Sequence, residues 1–149
     1  MALPATTAAI SPRATLALVN LRRPDENPVA VYLASLRESG RRTMRQALGR
    51  ALAVLDIANP EPLAFPWCEV RYQHVAAMRT ALLDDGLKPA TVNKCLAAVR
   101  AVCRESWRLG QLPADAWSRI QDVGGVRFQA LPKGRALEPA ELVKLREAC

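Results

Sequence analysis

The sequence predicts an all-α fold: a small bundle of four to five helices with a flexible N-terminal arm and, after the bundle, a linker and a helix stub. Apolar residues recur three and four positions apart through most of the chain, and glycine or proline stands at the ends of these periodic segments. No alternating strand pattern of useful length is present. At 149 residues, 50% of them hydrophobic, the chain suits one domain with flanking segments.

The first two helices are predicted at about 27–39 and 41–58. Asn27 is placed to cap the first helix, Pro28 to begin it and Gly40 to end it. The stripe of the second helix consists of Met44, Leu48, Ala51, Leu52 and Leu55, and Asn59-Pro60 should stop it. Gly49 lies on the opposite face, which indicates either a close approach to the backbone or an unimportant exposed glycine.

Three further helices are predicted at about 72–85, 89–109 and 113–123. Gly86 and Gly110 should end the third and fourth, and Pro89 should begin the fourth. Core positions are predicted at Val75, Met78 and Leu82 in the third helix, at Val92, Leu96, Val99, Cys103 and Trp107 in the fourth, and at Trp117 and Ile120 in the fifth. These patterns divide the chain into a flexible arm (1–26), a helical domain (27–123), a basic linker (124–136) and the start of another amphipathic helix (137–149).

The charge balance favours a polyanionic partner. The chain has 21 basic and 14 acidic residues, a net charge of +7 and a pI near 9.8. Nucleic acid is the first candidate partner and a membrane surface the second. A transmembrane helix is excluded because no run of 18 apolar residues exists. Because a secretory signal is also lacking, a cytoplasmic protein is expected; the acid-free first 24 residues are read as a disordered tail rather than a transit peptide.

Metal, cofactor and redox chemistry are not predicted. The cysteines Cys68, Cys95, Cys103 and Cys149 lack Cys-x-x-Cys spacing, and His74 is the only histidine. We expect reduced, mostly buried thiols, with Cys95 and Cys103 on one side of the fourth helix. No catalytic or metal role is expected for His74.

The fourth helix carries a basic face opposite its apolar one. Lys94, Arg100, Arg104 and Arg108 fall on an arc about 120° wide, and Ala97 and Ala101 lie between them. Small residues between basic ones let a backbone come close to a duplex while long side chains reach its phosphates. At the start of this helix the free N–H groups and the helix dipole also favour a phosphate. This face therefore predicts DNA binding.

Several phrases of the chain together resemble one protein family. They are Arg42-Thr43-Met44-Arg45, the phrase from Gly86 to Asn93 with Leu87, Pro89, Thr91 and Val92, the helix end Leu109-Gly110, and the phrase Leu131-Pro132-x-Gly134-Arg135-x-Leu137 before Glu141-Leu142. In this order they resemble the N-terminal core-binding (SAM-like) domain of the tyrosine recombinase (phage integrase) family, followed by the linker and the first helix of the catalytic domain.

The resemblance implies a bundle that presents its second and fourth helices to the major groove of DNA. It implies contacts from Arg42, Thr43, Arg45, Gln46, Lys88, Thr91, Asn93 and Lys94, with Arg127, Lys133 and Arg135 following the backbone from the linker. Arg100 and Arg104 of the basic face are further candidate contacts. Gln46 and Asn93 are the candidates for reading a base edge, since amides can bond adenine in a bidentate way. The arginines and lysines are expected to hold phosphates.

The implied function is binding of double-stranded DNA at a recombination site, together with other recombinase protomers, in the bacterial cytoplasm or nucleoid. No strand cleavage is expected from this chain, because the family's arginines, lysine, histidines and nucleophilic tyrosine belong to the part that follows. The alternative is a helical protein-interaction module whose basic surface meets an acidic partner or another subunit. A helix-turn-helix regulator is disfavoured because the connection over 59–71 is too long for that motif.

Overall fold

The computed structural model describes residues 23–57 and 60–128, and over these ranges it contains five α-helices, two 3₁₀ turns and no strand. The helices are α1 (Pro28–Ala34), α2 (Glu38–Ala53), α3 (Tyr72–Asp84), α4 (Pro89–Arg108) and α5 (Ala114–Gln121). The 3₁₀ turns span Pro62–Ala64 and Trp67–Glu69, between α2 and α3. The all-α prediction is confirmed. Most of the predicted arm, and the predicted linker and helix from 129 onward, lie outside the described residues.

The longest helix, α4, occupies the centre of the bundle. It packs against α1, α2, α3, α5 and the second 3₁₀ turn. The shared core consists of fully buried side chains from each of these elements, the largest being Trp67, Leu48, Leu52, Met78, Leu82, Leu96 and Ile120. Burial of apolar side chains around one helix is the main favourable term in folding such a bundle. None of the described helices is both long enough and apolar enough to cross a membrane.

The start of α1 agrees with the sequence pattern. The Asn27 carboxamide oxygen accepts hydrogen bonds from the N–H groups of Val29 and Ala30, at 3.0 and 3.2 Å. Its amide nitrogen donates to the Leu63 carbonyl at 2.8 Å. Asn27 therefore caps α1 and ties it to the first 3₁₀ turn.

The predicted boundary at Gly40 is wrong. α1 ends at Ala34, and Gly40 lies in the first turn of α2. A side chain of the next helix supplies hydrogen bonds to carbonyls at and just after the end of α1. The Arg41 guanidinium donates to the carbonyls of Leu36, at 2.9 Å, and Ala34, at 3.3 Å. Because a side chain from the next helix caps α1, the chain does not need a left-handed glycine there.

The connection between α2 and α3 holds a core residue that the periodicity did not indicate. α2 ends at Ala53 rather than near residue 58, and Asp56 turns the chain with a φ of 54°. Trp67 in the second 3₁₀ turn is only 2% exposed, and its indole N–H donates to the Pro62 carbonyl at 2.8 Å. A three-residue turn has no helical repeat, so its apolar residue carries no periodic signal.

The ends of α3 and α4 are set by glycine, as predicted. Gly86 and Gly110 have φ values of 76° and 72°. The next N–H groups, of Leu87 and Gln111, donate back to the carbonyls of Leu82 and Ser106 at 3.4 and 2.9 Å. Both ends are Schellman motifs, in which glycine takes the left-handed conformation that other residues adopt at a cost.

One predicted core residue of α4 is misplaced. Val92, Leu96, Val99 and Cys103 are buried, but Trp107 is 40% exposed and stacks on Trp117 with ring centroids 6.4 Å apart. The buried face of α4 extends around the helix on the side away from Trp107, through Cys95, Ala98, Val102 and Ser106. These small residues admit close packing, so they rather than Trp107 face the core.

Candidate nucleic-acid interface

Positive charge is concentrated on two helices that pack against each other. α2 and α4 each carry four cationic side chains and one acid, whereas α3 and α5 each carry one arginine and one aspartate. The packing of α2 against α4 brings the two cationic helices together on one part of the bundle. The two helices with the largest excess of positive charge are therefore neighbours in the fold.

The exposed face of α4 retains most of the predicted basic arc. Lys94, Ala97, Arg104 and Arg108 are exposed. They lie opposite the buried face, at ~100° of rotation per residue. The single acid of α4, Glu105, approaches Arg108 at 3.0 Å and Arg104 at 3.9 Å. Glu105 therefore offsets part of the positive charge near the C-terminal end of the helix. No acidic residue of α4 lies near Lys94.

A cation of α2 that the sequence analysis did not select approaches the same surface. Burial raises the pKa of the Cys95 thiol, and the charges of Arg50 and Lys94 offset part of that rise. Arg50 of α2 and Lys94 of α4 are both exposed, and both act on the same thiol. Each of them is thus close enough to the Cys95 thiol to affect its pKa. Arg50 follows Arg42 and Gln46 at intervals of four residues, and this spacing is the signal that could have identified it.

The predicted residues of α2 are mostly free to meet a ligand. Arg42 and Gln46 are exposed. Thr43 is exposed too, with its hydroxyl donating to the Ser39 carbonyl at 3.0 Å. Arg45 forms an exposed ion pair with Glu61 at 3.0 Å, and this carboxylate offsets the positive charge of Arg45. Arg42 and Gln46 are the better placed of the four.

The start of α4 at Pro89 agrees with the sequence pattern. Lys88 precedes the first helical residue with an exposed side chain, and its carbonyl accepts the N–H groups of Thr91 and Val92 at 2.8 and 3.0 Å. Thr91 is half-buried. Lys88, just before the helix, and Lys94, in its second turn, are both exposed cations.

Asn93 has an intramolecular partner that sequence reasoning did not anticipate. Its amide nitrogen donates to the Val126 carbonyl at 2.9 Å, and its oxygen accepts the Val126 N–H at 2.7 Å. A Cβ at Gly125 would lie 3.0 Å from the same oxygen. The carboxamide thus pairs with both polar groups of one residue, and reading a base edge would require breaking both bonds.

Arg100 is likewise engaged inside the molecule. It is half-buried, and its guanidinium donates to the Val123 carbonyl. With Arg104 it lines an open groove beside α5, together with Ala97, Ala101, Trp117 and Gln121. Burial raises the pKa of Tyr32, which the charge of Arg104 partly offsets, so Arg104 also lies near α1. Arg104 is the more accessible of the two arginines.

Of the three predicted linker cations, only Arg127 belongs to the described part of the chain. It is exposed and directly follows Val126, the partner of Asn93. Lys133 and Arg135 lie outside the described residues, and so does the helix predicted over 137–149. The predicted contacts from these positions stay predictions.

The thiols and the histidine take structural positions. Cys95 and Cys103 are buried, Cys68 is half-buried, and Cys149 lies outside the described residues. The Nδ1 atom of His74 accepts the Arg71 N–H at 3.0 Å at the start of α3. Over residues 23–57 and 60–128, no group of three or more histidine, cysteine, aspartate or glutamate side chains could hold a metal ion.

Comparison with protein-family models, with curated proteins and with solved protein structures gave no match.

Proposed function

We propose that residues 27–123 form a domain that binds double-stranded DNA through α2 and α4, and that it serves as the core-binding domain of a site-specific tyrosine recombinase. The observation that carries the proposal is the packing of two helices, each with four cations against one acid, side by side. DNA presents a dense row of phosphates, and a surface of this kind binds it by displacing counterions. The order of the helices, and the short connection from Gly86 to Pro89 before α4, support the assignment to the recombinase family.

The contact residues divide by chemistry. Arg42, Arg50, Lys88, Lys94 and Arg104 are exposed cations suited to phosphates. Gln46, exposed on α2 between two of these arginines, is the residue proposed to read a base edge. Asn93 and Arg100 are proposed to support the interface rather than to touch DNA, because their polar groups bind Val126 and Val123. In this proposal the domain binds and positions DNA, while cleavage belongs to the catalytic part of the recombinase.

The test compares alanine variants of the full 149-residue chain in duplex binding, measured by fluorescence anisotropy. Lys94→Ala and Arg50→Ala should each weaken binding severalfold on every duplex, because each removes a phosphate contact. Arg119→Ala is the matched control. Arg119 is an exposed cation on α5. It lies about 160° around the helix axis from Gln121, which lines the groove beside Arg100 and Arg104, so Arg119 faces away from that groove.

We expect Arg119→Ala to bind as the unchanged chain does. Equal losses for Arg50, Lys94 and Arg119 would show attraction by net charge alone and contradict a defined interface. Gln46→Ala should reduce the preference among duplexes while keeping the affinity for non-specific duplex.

A protein-interaction module is the second candidate, and one observation favours it. Trp107 and Leu109 leave 40% and 36% of their surfaces exposed at the C-terminal end of α4. Exposed tryptophans are frequent in protein interfaces. Trp107→Ala should leave duplex affinity unchanged under the DNA proposal. A loss of self-association or of partner binding in this variant, without any duplex binding by the unchanged chain, would favour the second candidate.

A further inference from the structure

The segment that follows α5 is fixed along the side of α4 by two polar side chains. Asn93 pairs with both the N–H and the carbonyl of Val126, at 2.7 and 2.9 Å, and Arg100 donates to the Val123 carbonyl. Val126 is half-buried against the core and Val123 is buried. The chain leaving the helical domain is therefore held at two points before it reaches residue 127.

The spacing of these two points gives the direction of the segment. Asn93 and Arg100 are seven residues apart on α4, a rise of about 10.5 Å. Val123 and Val126 are three residues apart, which spans about 10 Å when the chain is extended. As the chain runs from Val123 to Val126, its contacts on α4 run back from Arg100 to Asn93, so the segment is antiparallel to α4, and an extended segment covers this distance. Beyond Val126 the chain thus continues toward the N-terminal end of α4, where Lys88 and Lys94 are exposed.

We infer that Asn93 is a positioning residue, which fixes the segment Gly124–Phe128 so that Arg127 joins the cationic surface of α2 and α4. Arg127 is exposed, while its neighbour Val126 packs against the core. The contact of Val126 with the core and with Asn93 fixes the backbone next to Arg127, whose side chain faces solvent. This inference rests on the proposed DNA-binding function and adds one contact, from outside the helices, to it.

The two hydrogen bonds between Asn93 and Val126, called the clamp below, can also be disturbed by a substitution in the segment itself, at Gly125. A Cβ at Gly125 would lie 3.0 Å from the Asn93 oxygen, whereas a Cβ at Gly124 meets nothing within 4 Å among the described residues. Gly125→Ala should loosen the clamp without changing α4 or any charge. Gly124→Ala is the matched control for the loss of a glycine in the same segment.

The first readout is hydrogen exchange at the Val126 amide. Asn93→Ala and Gly125→Ala should accelerate exchange there at least tenfold, and Gly124→Ala should not. Alanine is a better helix former than asparagine, so Asn93→Ala should keep α4 intact, and an unchanged helical signal in far-ultraviolet circular dichroism checks this. Unaltered exchange in both clamp variants would overturn the inference that Asn93 holds the segment.

The second readout is the salt dependence of duplex binding by the full chain. Arg127→Ala should reduce the log–log slope by about 0.9, the value of one phosphate contact. Asn93→Ala and Gly125→Ala should reduce it by a similar amount. The double variant Asn93→Ala/Arg127→Ala should bind no more weakly than either single variant, because both changes remove the same contact.

The outcomes separate the inference from the function on which it rests. Losses that add in the double variant, or an unchanged slope in Arg127→Ala while Lys94→Ala binds weakly, would overturn the inference and leave the DNA-binding surface standing. A changed sequence preference in Asn93→Ala that Gly125→Ala does not reproduce would give Asn93 a direct reading role instead. Absence of duplex binding by the unchanged chain would overturn both.

Discussion

Two tryptophans of this bundle differ in what they do for stability. Trp67 is 2% exposed, donates its indole N–H to the Pro62 carbonyl at 2.8 Å and packs against Phe65 in a T-shaped arrangement with centroids 4.9 Å apart. Trp107 is 40% exposed and stacks on Trp117 at the surface. Only Trp67 fills core volume and satisfies a buried carbonyl at the same time, so the two indoles should differ in their contribution to the free energy of unfolding.

Trp67→Ala should lower the free energy of unfolding by about 3–5 kcal/mol, the range for removal of a large buried aromatic side chain. Trp107→Ala should lower it by only about 1–2 kcal/mol, because the change removes a partly exposed aromatic pair. Urea unfolding followed by circular dichroism measures both, independently of indole fluorescence. An equal cost for the two variants would contradict the assignment of Trp67 to the core.

Cys103 makes the stability depend on alkaline pH. Burial raises the pKa of its thiol from 9.0 to about 12. The unfolded chain therefore releases this proton at a lower pH than the folded chain does. The stabilisation is complete below pH 9 and is lost as the pH rises from about 9 to 12.

Over that window we expect the free energy of unfolding to fall by up to about 1.4 kcal/mol per pH unit through this thiol. The Cys103→Ala variant should show a shallower fall above pH 9 and an unchanged slope below it. Chemical unfolding at a series of pH values measures the slopes. An equal slope above pH 9 in both proteins would mean that the Cys103 thiol titrates normally.

At the scale of the elements, glycine acts in three ways along this chain. Gly86 ends α3 with a φ of 76°, Gly40 is an ordinary residue of the first turn of α2, and Gly49 lies in the interior of α2 with nothing within 4 Å of an added Cβ among the described residues. The backbone conformation, rather than the residue type, decides what each glycine contributes.

Alanine at Gly86 and at Gly49 should therefore change the stability in opposite directions. Gly86→Ala should destabilise by about 1–2 kcal/mol, the cost of a Cβ in the left-handed region. Gly49→Ala should stabilise by up to about 1 kcal/mol, the helix-propensity difference. Thermal unfolding of the two variants gives both signs, and destabilisation by Gly49→Ala would indicate an unseen close contact at that position.

These cases show which parts of the fold the sequence can predict. The caps at Asn27, Gly86 and Gly110 act through the backbone next to them, so local sequence was enough to place them. The end of α1 depends on Arg41, a residue of the next helix, and Trp67 lies in a turn without periodicity. Both features depend on tertiary contacts that a local pattern does not contain.

The same distinction applies to the candidate interface. The repeat in α4 was enough to predict the exposed positions of Lys94, Arg104 and Arg108. It could not predict that Asn93 and Arg100 bind a segment some 23 to 33 residues further along the chain. A polar side chain at the edge of a helix face can meet solvent or the protein itself, and the path of a distant segment decides between them.

At the scale of the whole molecule, the central feature is an uneven distribution of charge. The chain has a net charge of +7, and the helices α2 and α4, which pack together, each have an excess of basic over acidic residues. On α3 and α5 the numbers of basic and acidic residues are equal. A surface of this kind should bind DNA through several phosphates at once and lose affinity as salt displaces the protein. The dependence of affinity on salt therefore reports on the proposed interface as a unit.

The most direct test is the dissociation constant of the full chain for a DNA duplex, measured across a series of salt concentrations. With about five phosphate contacts, the log–log slope of the binding constant against salt should lie near −4 to −5, and it should become shallower by about one unit in Lys94→Ala. A binding constant that hardly changes with salt, or the same steep slope in Lys94→Ala, Arg50→Ala and Arg119→Ala alike, would contradict a DNA-binding surface on α2 and α4.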